Sequence, residues 1–257
     1  MNVLLLNDTS SYHCGCKEVV KYLLDKYKGT DTIITGGRID NINWRSYDLV
    51  ILNGEGTLHH NRPNAFKFLT ALRSAQSAGC RTIIVNTVWQ EMSHDFDDVL
   101  QRCETITVRE VYSQQEIAKH GISASVFPDL SYLNKVDLKE FQHVPVYEGQ
   151  YFFKGRDETG GHPRIDIFKQ SWSEIVNRLR NSDLLITGRH HEMYAACVAK
   201  CKFLTKPGNT WKNEGLLASA GVVIPFDIDG VLAGKYNSEY EQLWQYLDDK
   251  RLESQKH

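Results

Sequence analysis

No stretch of this 257-residue chain stays apolar for the roughly 20 residues that a helix needs to cross a bilayer. The first ten residues, MNVLLLNDTS, lack the basic flank, the extended apolar segment and the small-residue cleavage site of a secretory signal, and they read instead as a first strand. Charge of one sign is also missing. With 30 Lys and Arg against 32 Asp and Glu, the net charge is -2, so no broad field draws in nucleic acid or an acidic membrane, and any anion site must be local. The cysteines, at 14, 16, 80, 103, 197 and 201, lack the dense spacing of a secreted disulfide framework. A cytoplasmic protein with reduced thiols is expected, working near the inner face of the membrane without spanning it. Cys14-x-Cys16 and Cys197-x3-Cys201 have spacings that zinc sites use, but a paired CxxC signature is absent, and YAACVAKC reads as a small-residue helix packed on a sheet. No metal is expected.

What is present is ordinary globular composition, 41% hydrophobic and 24% charged, arranged in alternation. Short Val-, Ile- and Leu-rich runs are separated by longer amphipathic stretches, the pattern of strands joined by helical crossovers in a parallel sheet. Strands are expected at 3–7, 31–35, 48–54, 81–87, 105–109 and 124–132, with helices near 15–28, 63–78 and 111–120. Residues 133–146 are polar and weakly periodic, as an interdomain connection would be. The alternation then resumes: a strand near 147–154, a helix near 166–180, strand 183–188, a helix from about 189 to 200, KFLT, a helix near 211–219, the strand GVVIP and a final helix near 236–248. The expected fold is α/β, with two Rossmann-like domains facing a cleft. The first spans 1–135, and the second, smaller one spans 136–257.

Open parallel sheets collect ligands at the carboxyl ends of their strands. Four such ends stand out. NDTSSYHCGC, residues 7–16, puts Asn7 and Asp8 ahead of Gly15 and a helix; a polar turn with an N-cap uses the same residue types, as does a loop that binds a polyhydroxylated or anionic ligand. NGEGTLHHN, residues 53–61, sets Glu55, His59 and His60 beside Gly54 and Gly56, whose lack of a side chain permits close backbone approach. Arg109 ends a strand with Ser113 four residues on, and Asp129 ends the next strand. In LLITGRHHEMYAA, residues 184–196, Thr187 and Gly188 lead to Arg189, His190 and His191 at a helix start. Unsatisfied amides and the partial positive charge of that start favour an anion, and a guanidinium adds a planar fork for phosphate or carboxylate. Asn209 and Lys212 stand at a further helix start.

In order and spacing these motifs resemble the polysaccharide pyruvyl transferase family along nearly the whole chain. NGEGTLHHN is similar to its glycine-rich loop, TVREVYSQQEIAKHGI to its strand with R-D/E-x-x-S, FPDLS to its D-P-like turn, and ITGRHHEMYAACVAKC to its T-x-R-x-H segment with a trailing Asn and Lys. The resemblance implies a two-domain fold like that of GT-B glycosyltransferases, and transfer of the enolpyruvyl group of phosphoenolpyruvate to a sugar of a cell-surface polysaccharide or its precursor. Arg189 and His191 match the residues that face the donor. The chain departs from the family at His190, normally apolar, at Glu55, where a middle glycine is common, and in its short second domain.

On this reading His191 is a phosphate ligand or acid, and Glu55 is the base for the acceptor hydroxyl, with His59 as the alternative. Arg189, His190, Gly188, Asn209, Lys212, Arg109 and Ser113 bind the donor, while Asn7, Asp8, Gly15, Gly54 and Gly56 form the acceptor side. No cofactor is expected beyond the donor substrate, because cationic side chains replace a metal. The partners are then a small anionic donor and a glycan acceptor, including lipid-linked sugars. Two other readings compete. One is a glycosyltransferase using a nucleotide-activated sugar, for which the His162-Pro163 pair in GGHPRID (160–166) is the motif. The other is a non-catalytic glycan- or phosphate-binding module.

Overall fold

The computed structural model of the chain describes residues 1–29, 31–34, 39–150 and 161–254. Thr35, residues 151–154 of the expected strand at 147–154, and Gly160 of the His-Pro segment lie outside the described residues. Contacts divide the chain into two units, one of residues 1–11 and 20–127 and one of residues 12–19 and 128–257.

The first unit holds the strands β1 (Val3–Asp8), β2 (Asp31–Ile34), β3 (Leu49–Glu55), β4 (Arg81–Thr87), β5 (Thr105–Val108) and β6 (Ser125–Val126). They pair in parallel in the order β2-β1-β3-β4-β5-β6. Every residue of β1 and β3 is buried, which is why those runs are continuously apolar rather than alternating. The first of the helices, α1 (Cys14–Lys26), is followed by α2 (Pro63–Ser77), α3 (Asp97–Gln101) and α4 (Val111–Lys119); by its first turns α1 belongs to the second unit, and from Val20 to the first. A proline at its first position starts α2, and it buries Ala65, Phe68, Leu69, Leu72 and Ala75, a stripe at helical spacing. That stripe packs with Leu4, Leu52, Ile84 and Trp89 in one core.

The second unit holds β7 (Val146–Glu148), β8 (Leu184–Thr187) and β9 (Lys202–Thr205), parallel and in that order, with α5 (Trp172–Arg180), α6 (His190–Ala199), α7 (Lys212–Ser219), α8 (Ile228–Leu232) and α9 (Asn237–Ser254). Ser171 caps α5 by accepting from the Glu174 amide at 3.2 Å, the serine half of a Ser-x-x-Glu start. Lys200, at φ +57°, ends α6, and the Cys201 amide turns back to the Ala196 carbonyl at 2.9 Å.

Four expected boundaries differ. Among the described residues GVVIP pairs with no strand: it opens in the turn at Gly221, Val223 is 81% exposed, and Pro225 has no amide to donate. Only Ser125 and Val126 of 124–132 pair in the sheet, because Pro128 interrupts the run and Asp129 caps a short 3-10 turn, Leu130–Leu133. The helix expected from 166 begins at Trp172, since the Asp166 carboxylate holds a turn by accepting from the Phe168 amide at 2.9 Å. The last helix runs on to Ser254. Among the described residues no helix is long and apolar enough to cross a membrane, and all six cysteines are free thiols.

Candidate functional site

Strand order directs attention to one place in the first unit. The chain runs outward from β1 to β2 on one side and from β3 to β6 on the other, so the topology reverses at the β1–β3 pair, and ligands of such sheets bind beyond the carboxyl ends at that switch. Asn7 and Asp8 end β1, and Gly54 and Glu55 end β3. Asn7 Nδ2 donates to the Asn53 carbonyl at 2.6 Å and to Thr57 Oγ1 at 3.0 Å. The Thr9 hydroxyl donates to Glu55 Oε2 at 2.5 Å. Asn7 (φ +65°), Glu55 (φ +34°) and Asn86 (φ +57°) place left-handed backbone near the ends of three neighbouring strands. Such strain in non-glycine residues persists only where surrounding structure enforces it, and it concentrates at functional sites.

Gly54 is required by close packing. A Cβ there would fall 2.3 Å from the Thr87 Cβ and 3.0 Å from its Cα. At Gly56, by contrast, a Cβ would meet nothing within 4 Å. Gly56 lies with Thr57, Arg62, Pro63 and Asn64 around a groove of about 330 Å³ at the start of α2. His59 is buried, bridges to Gln90, and has Nδ1 2.7 Å from His60 Nδ1.

Arg109 and Ser113 belong to the β5–α4 connection of the same unit, and both are buried. Glu110 caps α4 by accepting from the Tyr112 and Ser113 amides and from the Ser113 hydroxyl, whose oxygen in turn accepts from the Trp89 amide at 2.8 Å. Burial pushes the Glu110 carboxyl above its ordinary range, against the pull of these donors and of Arg109. The Ser113 hydroxyl is therefore engaged in holding α4 and the segment after β4.

The second unit gathers the remaining candidates around β8. Thr187 Oγ1 accepts from the Arg189 amide at 2.9 Å and bonds the Glu192 carboxyl, and the Gln150 amide donates to Glu192 Oε2 at 2.9 Å. Glu192 is fully buried, and that burial pushes its carboxyl up to about 8. The Arg189 guanidinium lies 5.6 Å from the centre of the Phe168 ring. Because β9 pairs directly with β8, the loop after β9 adjoins the start of α6. Asn213 ties the two by donating toward the Gly188 and Lys206 carbonyls at 3.3 Å. There the Lys212 ammonium donates to Asn209 Oδ1 at 2.7 Å.

His190 packs edge-on to Tyr194 with ring centres 4.9 Å apart. His191 points elsewhere: its Nε2 is 3.6 Å from Asp129 Oδ2, and its ring stands edge-on to His13 at 4.8 Å. Asp129, fully buried, is held by the Ser131 amide and hydroxyl at 3.0 and 2.6 Å. A Cβ on Gly15 would lie 2.6 Å from the His191 ring, so only glycine lets the first turn of α1 close on that imidazole. Burial, reinforced by His191 and Arg189, drives the His13 imidazole down to about 2, so it is neutral. His162 and Pro163 sit at the sheet edge, where the Pro163 carbonyl accepts from the Glu148 amide at 2.9 Å.

Sequence reasoning did not find Asn86, Glu192, or the meeting of His13 and Cys16 with His191. The i, i+3 spacing of His13 and Cys16 at a helix start was the available signal for the last. Nothing local marks Asn86 or Glu192, whose environments come from distant segments.

Both sheets are parallel and flanked by helices, and the chain shares its overall α/β, GT-B-like fold with enzymes that handle sugar nucleotides. It is similar in structure to the UDP-GlcNAc 2-epimerase of Neisseria meningitidis bound to UDP-GlcNAc (TM-score 0.57, 10% identity, covering 98% of this chain and 97% of that one). It is similar to S. aureus MnaA with UDP (0.52, 11%, 96% and 90%). A functionally uncharacterised protein of Klebsiella pneumoniae is similar as well (0.57, 12%, 83% and 86%). At these identities the likeness is one of fold. The sequence model of the polysaccharide pyruvyl transferase family matches residues 11–205, and the chain belongs to that family. No individually curated protein matches its sequence.

Proposed function

We propose that the protein transfers the enolpyruvyl group of phosphoenolpyruvate to a sugar of a cell-surface polysaccharide or its precursor, forming a pyruvate ketal. The observation that carries this reading is the start of α6. Arg189 stands there behind a buried strand end, and the Asn209–Lys212 start of α7 is tied alongside by Asn213. Two helix starts, a guanidinium and an ammonium suit a small donor bearing both phosphate and carboxylate.

In the reaction, the donor's methylene carbon gains a proton and becomes a methyl group, and the adjacent carbon takes a bond from one sugar hydroxyl. Phosphate leaves with the electrons of its C–O bond, and a second hydroxyl of the same sugar closes the ketal. The two hydroxyls release two protons, of which one balances the proton taken up by the methylene and the other leaves with phosphate. Glu55, held by Thr9, is the base for the acceptor, with His59 as its alternative. Asn7, Asp8, Gly54 and Gly56 shape the acceptor side, and Gly15 shapes the first turn of α1 against His191. Gly188, Arg189, His190, Asn209 and Lys212 serve the donor, as do Arg109 and Ser113 through the β5–α4 connection. His191 meets the donor as phosphate ligand or as acid. The acceptor is a lipid-linked or nucleotide-linked sugar at the cytoplasmic face of the membrane.

A thermal-shift panel tests the donor. Phosphoenolpyruvate is expected to raise the unfolding temperature, followed by phosphate release when a lipid-linked or nucleotide-linked sugar is added. Stabilisation by nucleotides instead would assign a nucleotide-sugar donor, and stabilisation by glycans alone would assign a binding module.

A further inference from the structure

We propose that His13, Cys16 and His191 bind a divalent cation of the zinc class. Their ligand atoms all lie within 4.8 Å of one another. His13 and Cys16 come from the loop and first turn of α1, and His191 from the first turn of α6, so the cluster joins two segments far apart in sequence. Cys16 and His191 are buried, and the cluster is close-packed because Gly15 leaves its chain against the His191 ring.

The dimensions suit a metal. His13 Nε2 is 3.3 Å from the Cys16 sulfur, within a few tenths of the edge of about 3.6 Å that tetrahedral bonds of about 2.1 Å to nitrogen and about 2.3 Å to sulfur produce. A thiolate with two imidazoles selects zinc-like ions over magnesium or calcium, which take oxygen. Asp129, fully buried with Oδ2 3.6 Å from His191 Nε2, adds negative charge beside the cluster.

Binding is balanced in protons. The Cys16 thiol releases its proton to solvent and binds as thiolate. His13 Nδ1 now accepts from the Cys16 amide at 3.2 Å. Coordination through Nε2 moves the ring proton to Nδ1, so this bond and the 3.3 Å contact of the Cys16 thiol with His13 Nε2 are given up for three metal–ligand bonds. Three protein ligands leave a fourth position, as in catalytic zinc sites. Resting here on the pyruvyl-donor reading, that position takes an oxygen of the donor. His191 then offsets the donor's charge through the metal, and with its lone pair bound it is not the acid.

The test uses the full chain stripped with a chelator and titrated with Co²⁺ or Zn²⁺, without donor. One equivalent of Co²⁺ is expected to give a tetrahedral visible spectrum with a thiolate charge-transfer band, lost in Cys16→Ser and kept in Cys14→Ser. Absence of the band, or its persistence in Cys16→Ser, overturns the proposal. Because Cys16 is buried, X-ray absorption of the zinc-loaded unmodified chain gives an answer independent of any variant's folding. One sulfur and two imidazoles are expected, and a shell without sulfur overturns the site. Phosphoenolpyruvate binding is measured separately, with chelator present and again with Co²⁺ bound. Donor binding without any metal site removes the metal and leaves the donor reading. A metal site with no donor binding in either condition, and no donor-induced change in the cobalt spectrum, does the reverse.

Discussion

The carboxyl end of β3 in the first unit and the start of α6 in the second do different physical work. Around β3 the backbone is distorted: Asn7, Glu55 and Asn86 all hold positive φ, and short side-chain hydrogen bonds hold Asn7 and Glu55. Around α6 the backbone is regular, and the tension is electrostatic. His190, His191, Glu192 and Asp129 are all buried, and the Glu192 carboxyl is pushed far from its ordinary range by lost hydration. A strained, hydrogen-bonded turn is suited to aligning a neutral hydroxyl. A desolvated cluster beside a guanidinium is suited to fixing charge, because interactions there are less screened. The proposed assignment of acceptor to the β3 end and donor to the α6 start rests on that contrast.

The contrast is broken most readily at Glu55. Glu55→Gln is expected to lower turnover about 10²- to 10⁴-fold, the usual worth of a general base, with phosphoenolpyruvate affinity retained in calorimetry. Equal loss of affinity and turnover would move the β3 end to the donor. Next in size, Arg189→Ala should weaken phosphoenolpyruvate binding by about 30-fold or more, as truncating one member of a buried charge pair does, while urea unfolding stays close to that of the parent. Unaltered donor affinity would remove the α6 assignment.

Two further substitutions separate packing from chemistry. Gly54→Ala forces a Cβ onto Thr87 and is expected to destabilise the protein by about 1–3 kcal/mol. Gly56→Ala, which meets nothing, should stay within about 0.5 kcal/mol. Similar unfolding midpoints for the pair would mean that the β3–β4 approach is not the constraint on position 54. Ser113→Ala strips the Trp89 amide of its acceptor, at an expected cost of about 1–2 kcal/mol. Loss of donor affinity beyond that change in stability would give Ser113 a direct part in donor binding.

Much of the fold was legible in the chain. Continuous apolar runs such as LVILN and RTIIVNT became β3 and β4 because both faces of a parallel sheet are covered, and the helix expected from 63 starts at Pro63. GVVIP reads the same way yet pairs with no strand among the described residues, since apolar composition alone does not supply a neighbouring strand edge. The positions of Arg189 and Glu55 were legible because glycine and charge coincide at strand ends: Glu55 ends β3 and Arg189 precedes α6. Cys16 was visible only as half of a Cys-x-Cys spacing, because its relevant neighbours are His13, one turn away, and His191, 175 residues further on.

The sequence by itself determined where strands and helices form, because hydrophobic period and capping chemistry act over a few residues. It also determined that an arginine and a histidine pair open a helix after a buried strand. Only the tertiary structure decided which of those histidines faces Asp129 and His13 and that Glu192 loses its water. It decided too that three adjacent strands end near left-handed residues. Those properties depend on distance and dielectric between segments remote in the chain, quantities that exist only once the packing is complete.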